Sequence, residues 1–532
     1  MEANQTYDTI VIGAGSAGCV VTRRLVDAGQ RVLLLEAGPA DNSQFIHMPA
    51  TFVRVIGTER TWVYESTAQP HANGRKMFVP QGKTLGGGSS VNAMVYIRGQ
   101  SQDYDDWAAQ GCAGWDWSSV LPWFKKAEAN QIFSGTLHGT DGPLSVSEAR
   151  HRHPLSEAFV KAAQEVGLVH NADFNGSHQQ GVGFYQTTTR NGERASTAVT
   201  YLDPIRGKSG LTIETGALVQ KIVIEGNRAV GVIWLDSDGR LITSRAAREV
   251  VLAAGALASP KLLMLSGIGP GNQLQSFGIP VAMDLAGVGK NFQDHLEVSI
   301  YGRCKEPLSL LGNDKGLRAL RHGLQWKLTR TGLLTSNVVE SGGFADTLGT
   351  GRPDIQFHVL PVLVGDVDRD PLPGHGISIN PCILRPKSRG VVELASADAS
   401  VAARFDGGFL SDQGDVDTLV RGVQLARKIL RAPSLSKLIS DELAPSANAD
   451  FPRDAVEAYV RSRAKTVYHP AGTCRMGAAS DMGTVVTPDL KVRGIEGLRV
   501  SDASVIPNLV SGNTNAPVVM IAERCANFML GK

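Results

Sequence analysis

Apolar residues run unbroken at Ile10, Val11 and Ile12, directly after a polar N-terminus. A short unbroken run of this kind predicts a strand buried on both faces, as in a parallel sheet. Ala17, Gly18, Val21 and Leu25 then share one face of a predicted helix. A second strand is predicted from Arg31 to Leu35, ending in Glu36. Much later the apolar pattern becomes alternating. The stretches "DIQFHVLPVLV" (354–364) and "GVVELASAD" (390–398) predict strands of a second, half-buried sheet. "DVDTLVRGVQLARKIL" (415–430) spaces Val416, Leu419, Val423 and Ile429 as a helix does, with Asp415 as its capping acid. "LRALRHGLQWKLTR" (317–330) puts Leu317, Leu320, Leu324 and Leu328 on one face, fringed by Arg318, Arg321, Lys327 and Arg330. A helix lying on a membrane surface has this pattern, and so does a helix docked on the protein with a solvated basic face. The docked helix is the expectation.

Between the first strand and helix, Gly13, Gly15 and Gly18 form G-x-G-x-x-G. The first glycine permits a tight turn, the second lets a pyrophosphate approach the backbone, and the third lets helix and strand pack closely. Glu36 follows Gly18 by 18 residues, where an acid accepts hydrogen bonds from an adenosine ribose. That acid favours NAD or FAD over NADP. Three further stretches decide between those two. "GKTLGGGSSVNAMVYIRG" (82–99) is a second glycine-rich loop whose amides suit a ring system or a phosphate. "VVLAAGALASPKLLMLSGIG" (250–269) reads as strand, small-residue turn and helix, and "LRVSDASVIP" (498–507) delivers Asp502 at a strand end, where it can accept from ribityl hydroxyls. Late segments returning to one nucleotide suit the larger FAD.

Composition narrows the class. The 532 residues are 42% hydrophobic and 20% charged, as expected of a soluble protein with two large lobes. The net charge of +2, with acids and bases intermixed, gives no electrostatic case for nucleic acid. No apolar run approaches the ~20 residues of a membrane span. No signal peptide is visible, so the expected location is cytoplasmic, with peripheral membrane contact left open. Six cysteines lack any C-x-x-C pair, so neither zinc nor a disulfide framework is expected, and no metal site is predicted.

The motifs taken together resemble the glucose–methanol–choline (GMC) flavoprotein oxidoreductases. Both family signatures fit without a gap, over 82–105 and 255–269. "GVGKNFQDH" (287–295), "YHPAGTCRMG" (468–477) and "DASVIPNLVSGNTNAPVVMIAE" (502–523) match as well. Within the family the chain looks most like bacterial alcohol, polyethylene glycol and L-sorbose dehydrogenases. The resemblance implies an α/β fold, α+β overall, in which a Rossmann-like FAD-binding domain carries a discontinuous substrate-binding domain built on an antiparallel sheet. It places the FAD-binding domain at 1–152, 207–293 and 454–532, and the substrate-binding domain at 153–206 and 294–453. Its FAD contacts fall on Gly13, Gly15, Ser16, Ala17, Gly18, Glu36 and Ala37, then on Gly86, Gly88, Ser89, Asn92, Ala93, Met94 and Val95. Val219, Ala254, Gly255, Asp502, Ala503 and Asn515 complete them. Some family members attach FAD covalently through a histidine in the second loop. "SSVN" here carries Val91, so FAD is expected to be non-covalent.

Oxidising an alcohol with a flavin removes a proton from the hydroxyl and a hydride from its carbon, so a base must lie within hydrogen-bond reach of the hydroxyl. Histidine titrates in the right range. By the resemblance, His469 in "TVYHPAG" is the catalytic histidine, and Asn513 in "GNTNAP" occupies the second active-site position. An amide can orient the alcohol but cannot take its proton, which leaves His469 as the base. His295 in "QDH" is expected to be structural, and His358 lies on a strand that can face the pocket. "SNVVESGGF" (336–344) resembles a pocket-lining stretch, with Asn337 and Val338 as substrate contacts beside Tyr468. The expected activity is oxidation of a primary alcohol to an aldehyde, L-sorbose to L-sorbosone being the specific expectation, with an external acceptor such as a quinone or a dye. Alternatives are an oxygen-using oxidase of the hydroxymethylfurfural type, an aliphatic alcohol or polyethylene glycol dehydrogenase and, remotely, a flavin-binding sensor without turnover. A quaternary ammonium needs aromatic faces with a carboxylate, which the two pocket stretches offer sparsely.

Overall fold

The computed structural model describes residues 6–365, 372–446 and 451–531. Two sheets organise it. The first has the order Leu211–Thr215, Val32–Glu36, Thr6–Ile12, Leu241–Leu252, Arg228–Leu235, Leu218–Glu225. Its first four strands are parallel. Val32–Glu36 is buried at every position, as its unbroken apolar run requires. The long strand Leu241–Leu252 serves two neighbourhoods. Its first half joins an antiparallel meander with Arg228–Leu235, and Val250 in its second half pairs with both Ile10 and Leu498. The helix Ser16–Asp27 buries Ala17, Gly18, Val21 and Leu25 against this sheet.

The second sheet is antiparallel, in the order Ile439–Ala444, Ile300–Cys304, Gly376–Ile383, Ile355–Leu360, Ser341–Ala345, Gly181–Phe184. Helices Pro154–Glu165 and Gln413–Leu430 bury Phe159, Val416, Leu419 and Val423 in the core that Phe357 and Ile379 contribute from this sheet. The fold is therefore mixed α/β, with a parallel nucleotide-type layer and a separate antiparallel sheet.

Several local expectations change. The stretch 390–398 does not join the large sheet; Val391–Glu393 pairs with Arg404–Asp406 in a ribbon of its own. The helix capped by an acid starts at Gln413, so its N-cap is Asp412, which accepts from the Gly414 amide at 2.8 Å. Asp415 lies inside the first turn and reaches across to the amides of Lys387 and Ser388, both at 2.8 Å. Two stretches pack on the other side of the expected domain bounds. Tyr201 and Ile205 join the core of the parallel sheet, and Val456 and Val460 join that of the antiparallel sheet.

The helix Gly316–Thr329 overturns its expectation most clearly. Its leucines do not dock: Leu317 is 85% exposed, Leu320 59%, Leu324 50% and Leu328 78%. Only Trp326, on the opposite face, is buried. Its indole N–H donates to the Gly192 carbonyl at 2.9 Å, and the Arg330 guanidinium stacks on its ring at 4.0 Å.

Candidate active site

A cavity of about 1520 Å³ is lined by Gly13, Gly15 and Glu36 of the glycine motif, by Asn92–Val95 and Ala254, and by His469 and Asn513. It continues past Val338 and Leu363 to Leu320 and Leu324 of the exposed helix.

At the glycine motif, the absence of a side chain allows approaches that no other residue would. Gly13 has φ +94°, and a Cβ there would lie 2.6 Å from the Ala253 carbonyl oxygen. A Cβ on Gly87 would lie 2.6 Å from Gly15 Cα, so the two glycine loops touch backbone to backbone. Helices Ser16–Asp27 and Asn515–Met529 both begin here without a side-chain cap, and Ser16 Oγ donates to Asn515 Oδ1 at 2.7 Å. Two open N-termini side by side leave their first amides for an anion, where the helix dipoles favour negative charge. Glu36 accepts from the Ala14 and Gly38 amides, both at 2.9 Å, while burial pushes its carboxyl up to about 7. Asp502 accepts from the Gly255 amide at 2.9 Å and from the Ser504 amide at 2.8 Å. This donor and acceptor set, strung along a long channel, fits FAD: the helix N-termini suit its pyrophosphate and Glu36 its ribose.

Most residues expected at the cofactor line this channel: Gly13, Gly15, Ser16, Ala17, Glu36, Ala37, Gly88, Asn92, Ala93, Met94, Val95, Val219, Ala254, Gly255, Asp502, Ala503 and Asn515. Gly18, Gly86 and Ser89 stand behind the wall. A Cβ on Gly18 would meet the Gly13 carbonyl oxygen at 1.9 Å, which is the close helix–strand packing that the motif's third glycine serves. Ser89 Oγ donates to the Gly86 carbonyl at 2.6 Å and thereby holds the second loop.

The loop after Lys465–Thr466 carries His469. That short strand pairs with Leu296–Glu297, and Ala471 and Gln293 exchange backbone hydrogen bonds at 2.9 and 3.1 Å. The "QDH" segment is thus the frame of the loop that carries His469. Asp294 Oδ1 accepts from the His469 amide at 2.8 Å; burial holds the Asp294 carboxyl well above the usual range. Tyr468 adopts φ +67° and Val338, on the cavity wall, φ +66°. Left-handed backbone is costly for both, and most of all for β-branched valine. The neighbouring structure fixes these turns so that His469 and Val338 face the cavity.

The histidine pair corrects the reading of His295 as merely structural. Its Nε2 lies 3.0 Å from the Leu384 carbonyl and 3.1 Å from the Val510 carbonyl. Both partners accept, so the hydrogen-bond network assigns the proton to Nε2. His295 Nδ1 must then accept, and its partner at 3.1 Å is His469 Nδ1. His469 therefore carries its hydrogen on Nδ1 and leaves Nε2 as an acceptor, the role in which Asn513 meets it. Asn513 Nδ2 stands 3.4 Å from that Nε2. Its Oδ1 accepts from Gln356 Nε2 at 3.1 Å, which turns the NH₂ end towards the histidine. The His469 ring borders the cavity yet lies deep in the protein. That depth, with His295 and His358 close by, holds its pKa well below the ordinary value. Burial likewise pushes His295 down to about 4. The arrangement is a neutral base whose accepting nitrogen is met by one amide donor.

The substrate residues fare unevenly. Val338 and Tyr468 line the cavity. Asn337 does not; its NH₂ is spent on the Ala93 and Val339 carbonyls at 2.9 and 3.1 Å. Sequence reasoning missed Gln356 and Glu297. Glu297 lines the cavity, bonded to His358 Nδ1 at 2.9 Å and to Asn380 Nδ2 at 3.0 Å, with Lys465 Nζ at 3.7 Å. Its position two residues beyond His295 on a short paired strand was the available signal.

Residues 7–297 and 386–522 match the GMC oxidoreductase family. The chain is 43% identical over 535 residues to an alcohol dehydrogenase [acceptor] of Pseudomonas putida, covering 99% of this chain and 96% of that one. It is 41% identical to the mitochondrial choline dehydrogenase of Mus musculus, covering 99% and 89%. A solved FAD-dependent oxidoreductase from Chaetomium thermophilum superposes with a TM-score of 0.89 at 28% identity, covering 99% of both chains. A nucleotide channel ending at a neutral histidine thus occurs in a chain that belongs to the GMC oxidoreductases.

Proposed function

We propose that the protein oxidises an uncharged, largely apolar primary alcohol to the aldehyde and passes the electrons to an external acceptor such as a quinone or a dye. The observation that carries this reading is the unprotonated, accepting Nε2 of a neutral His469 against the Asn513 amide, on the wall of a cavity that fits FAD. Bound FAD supplies the acceptor for the hydride leaving the carbinol carbon. Asn513 donates to the alcohol oxygen and orients it. His469 Nε2 takes the hydroxyl proton, and His295 keeps that nitrogen available by occupying Nδ1.

The cavity wall supports an apolar substrate. Leu310, Leu333, Leu334, Val338, Leu360 and Leu363 line the approach. With Asn337 turned away, few side chains remain to satisfy the hydroxyls of L-sorbose, and a polyol bound there would leave them unpaired. Glu297, and the likeness to choline dehydrogenases, favour a quaternary ammonium, but Lys465, Asn380 and His358 already engage that carboxylate. The test is one dye assay over a medium-chain alkanol, a glycol ether, hydroxymethylfurfural, L-sorbose and choline, with peroxide measured in air. The alkanol is expected to show the highest kcat/KM and peroxide to stay at background. A higher kcat/KM for L-sorbose or choline overturns the substrate reading; stoichiometric peroxide makes the enzyme an oxidase.

FAD is held without a covalent bond in this reading, supported by Val91, which lines the channel where a nucleophile would be needed. Acid precipitation is expected to leave yellow flavin in the supernatant; a yellow pellet contradicts it.

The buried histidines set a pH dependence. Both have folded-state pKa values below the ordinary 6.5 and are buried neutral. The unfolded chain takes up their protons first. Their contribution to stability is complete above 6.5 and is lost as pH falls from 6.5 to about 4, the His295 value. Thermal melts should show Tm declining across that window, while kcat/KM keeps its neutral base to well below the ordinary histidine pKa. His295→Gln, whose amide oxygen can still accept from His469 Nδ1, should preserve more activity than His295→Leu. Equal loss in both would remove the tautomer argument.

A further inference from the structure

We propose that the helix Gly316–Thr329 is a docking surface for an anionic lipid bilayer, which brings the mouth of the active-site cavity against the membrane. The four leucines form a stripe opposite Trp326, the helix's only buried residue, and are exposed among the described residues. Exposed leucines scattered singly need no explanation, but four at helical spacing form one contiguous apolar ridge. Arg321 and Lys327 flank that ridge on opposite sides, and Arg318 lies beyond Arg321; all three are exposed, and the helix contains no acid. Apolar ridge and basic flanks together match the acyl boundary and headgroups of an anionic surface.

The ridge continues into its surroundings. Arg54 reaches Asp314, just before the helix, at 3.5 Å and lies 5.5 Å over the ring of Phe45, itself 41% exposed. Leu311, 43% exposed, adds to the same rim. Leu311, Leu320, Leu324 and Phe45 also line the cavity that ends at His469. The apolar surface is thus the entrance to the site. A second copy of this chain is a poorer occupant, because a self-complementary pairing would set the basic flanks against each other without a compensating acid. Among the described residues no helix is long and apolar enough to cross a membrane, so contact through this helix is with the surface only. The docking claim is independent of which alcohol is oxidised.

The test is flotation of the FAD-loaded full-length enzyme with phosphatidylcholine vesicles, with and without roughly a third phosphatidylglycerol. Wild type should float with the anionic vesicles, less so at high salt, and much less with neutral ones. Leu317→Glu with Leu328→Glu replaces two exposed residues outside the cavity lining. It should lower vesicle partition by about tenfold or more and leave dye-linked turnover of a water-soluble alcohol unchanged. Arg318→Glu with Arg321→Glu should abolish the preference for anionic vesicles. Absence of flotation, equal flotation of the leucine variant, or a wild-type dimer that the leucine variant dissociates would each overturn the proposal.

Discussion

His469→Ala is expected to cut kcat by about 10³-fold, within the span that a positioned general base contributes, while flavin content stays at wild type. The two effects separate because the amides of the helix starts and glycine loops are backbone groups that the substitution leaves in place. Stopped-flow reduction of the flavin by alcohol without oxygen measures the step directly. Bleaching at the wild-type rate in a flavin-loaded variant would rule out His469 as the base. Asn513→Ala should slow the same step less, by about tenfold to a hundredfold, since one donor is lost and the base remains. Gln356→Leu should act in the direction of Asn513→Ala, because it frees the amide to turn away from His469.

The second large effect is expected at a glycine that never touches the cavity. Gly18→Ala places a methyl 1.9 Å from the Gly13 carbonyl oxygen, a backbone atom that cannot step aside without moving the tight turn at Gly13. Relief of the clash must push the helix Ser16–Asp27 off the strand Thr6–Ile12 or open that turn. Overpacking of this kind costs about 1–3 kcal/mol or more, and here it is spent at the pyrophosphate end of the channel. Loss of bound FAD, read as the ratio of 450 to 280 nm absorbance, with a Tm lowered by several degrees, is the expected result. Full flavin content at unchanged Tm would show that the turn is softer than its geometry implies.

The two predictions mark what is readable in a sequence of this kind. The nucleotide end could be read because its chemistry is local: Gly13, Gly15, Gly18 and Glu36 lie within one strand–helix–strand unit, and the spacing itself carries the geometry. His469 and Asn513 were reached through the family resemblance rather than from spacing, and both line the cavity. The role of His295 was out of reach, because it depends on which atoms its second nitrogen meets, and those are carbonyls of residues 384 and 510. Asn337 misled for a related reason: a pocket-lining stretch does not tell which way each side chain turns, and Val338 takes the strained backbone that turns it inward. The leucine stripe was visible as a pattern. What covers such a stripe is a tertiary fact, and periodicity is blind to it.

The hydrogen bond between Ser16 and Asn515 spans 499 positions, and Arg24 is bonded to Glu523 over the same span. The two helix starts that form the pyrophosphate end are therefore made almost a whole chain apart in time. During synthesis the first helix lacks its second partner until residues 515–529 have been made. A nascent chain stopped short of residue 498 has the fingerprint but only half of the anion site. Full flavin affinity should accordingly appear only in chains that include the helix Asn515–Met529, which flavin binding by truncations ending before and after it would measure.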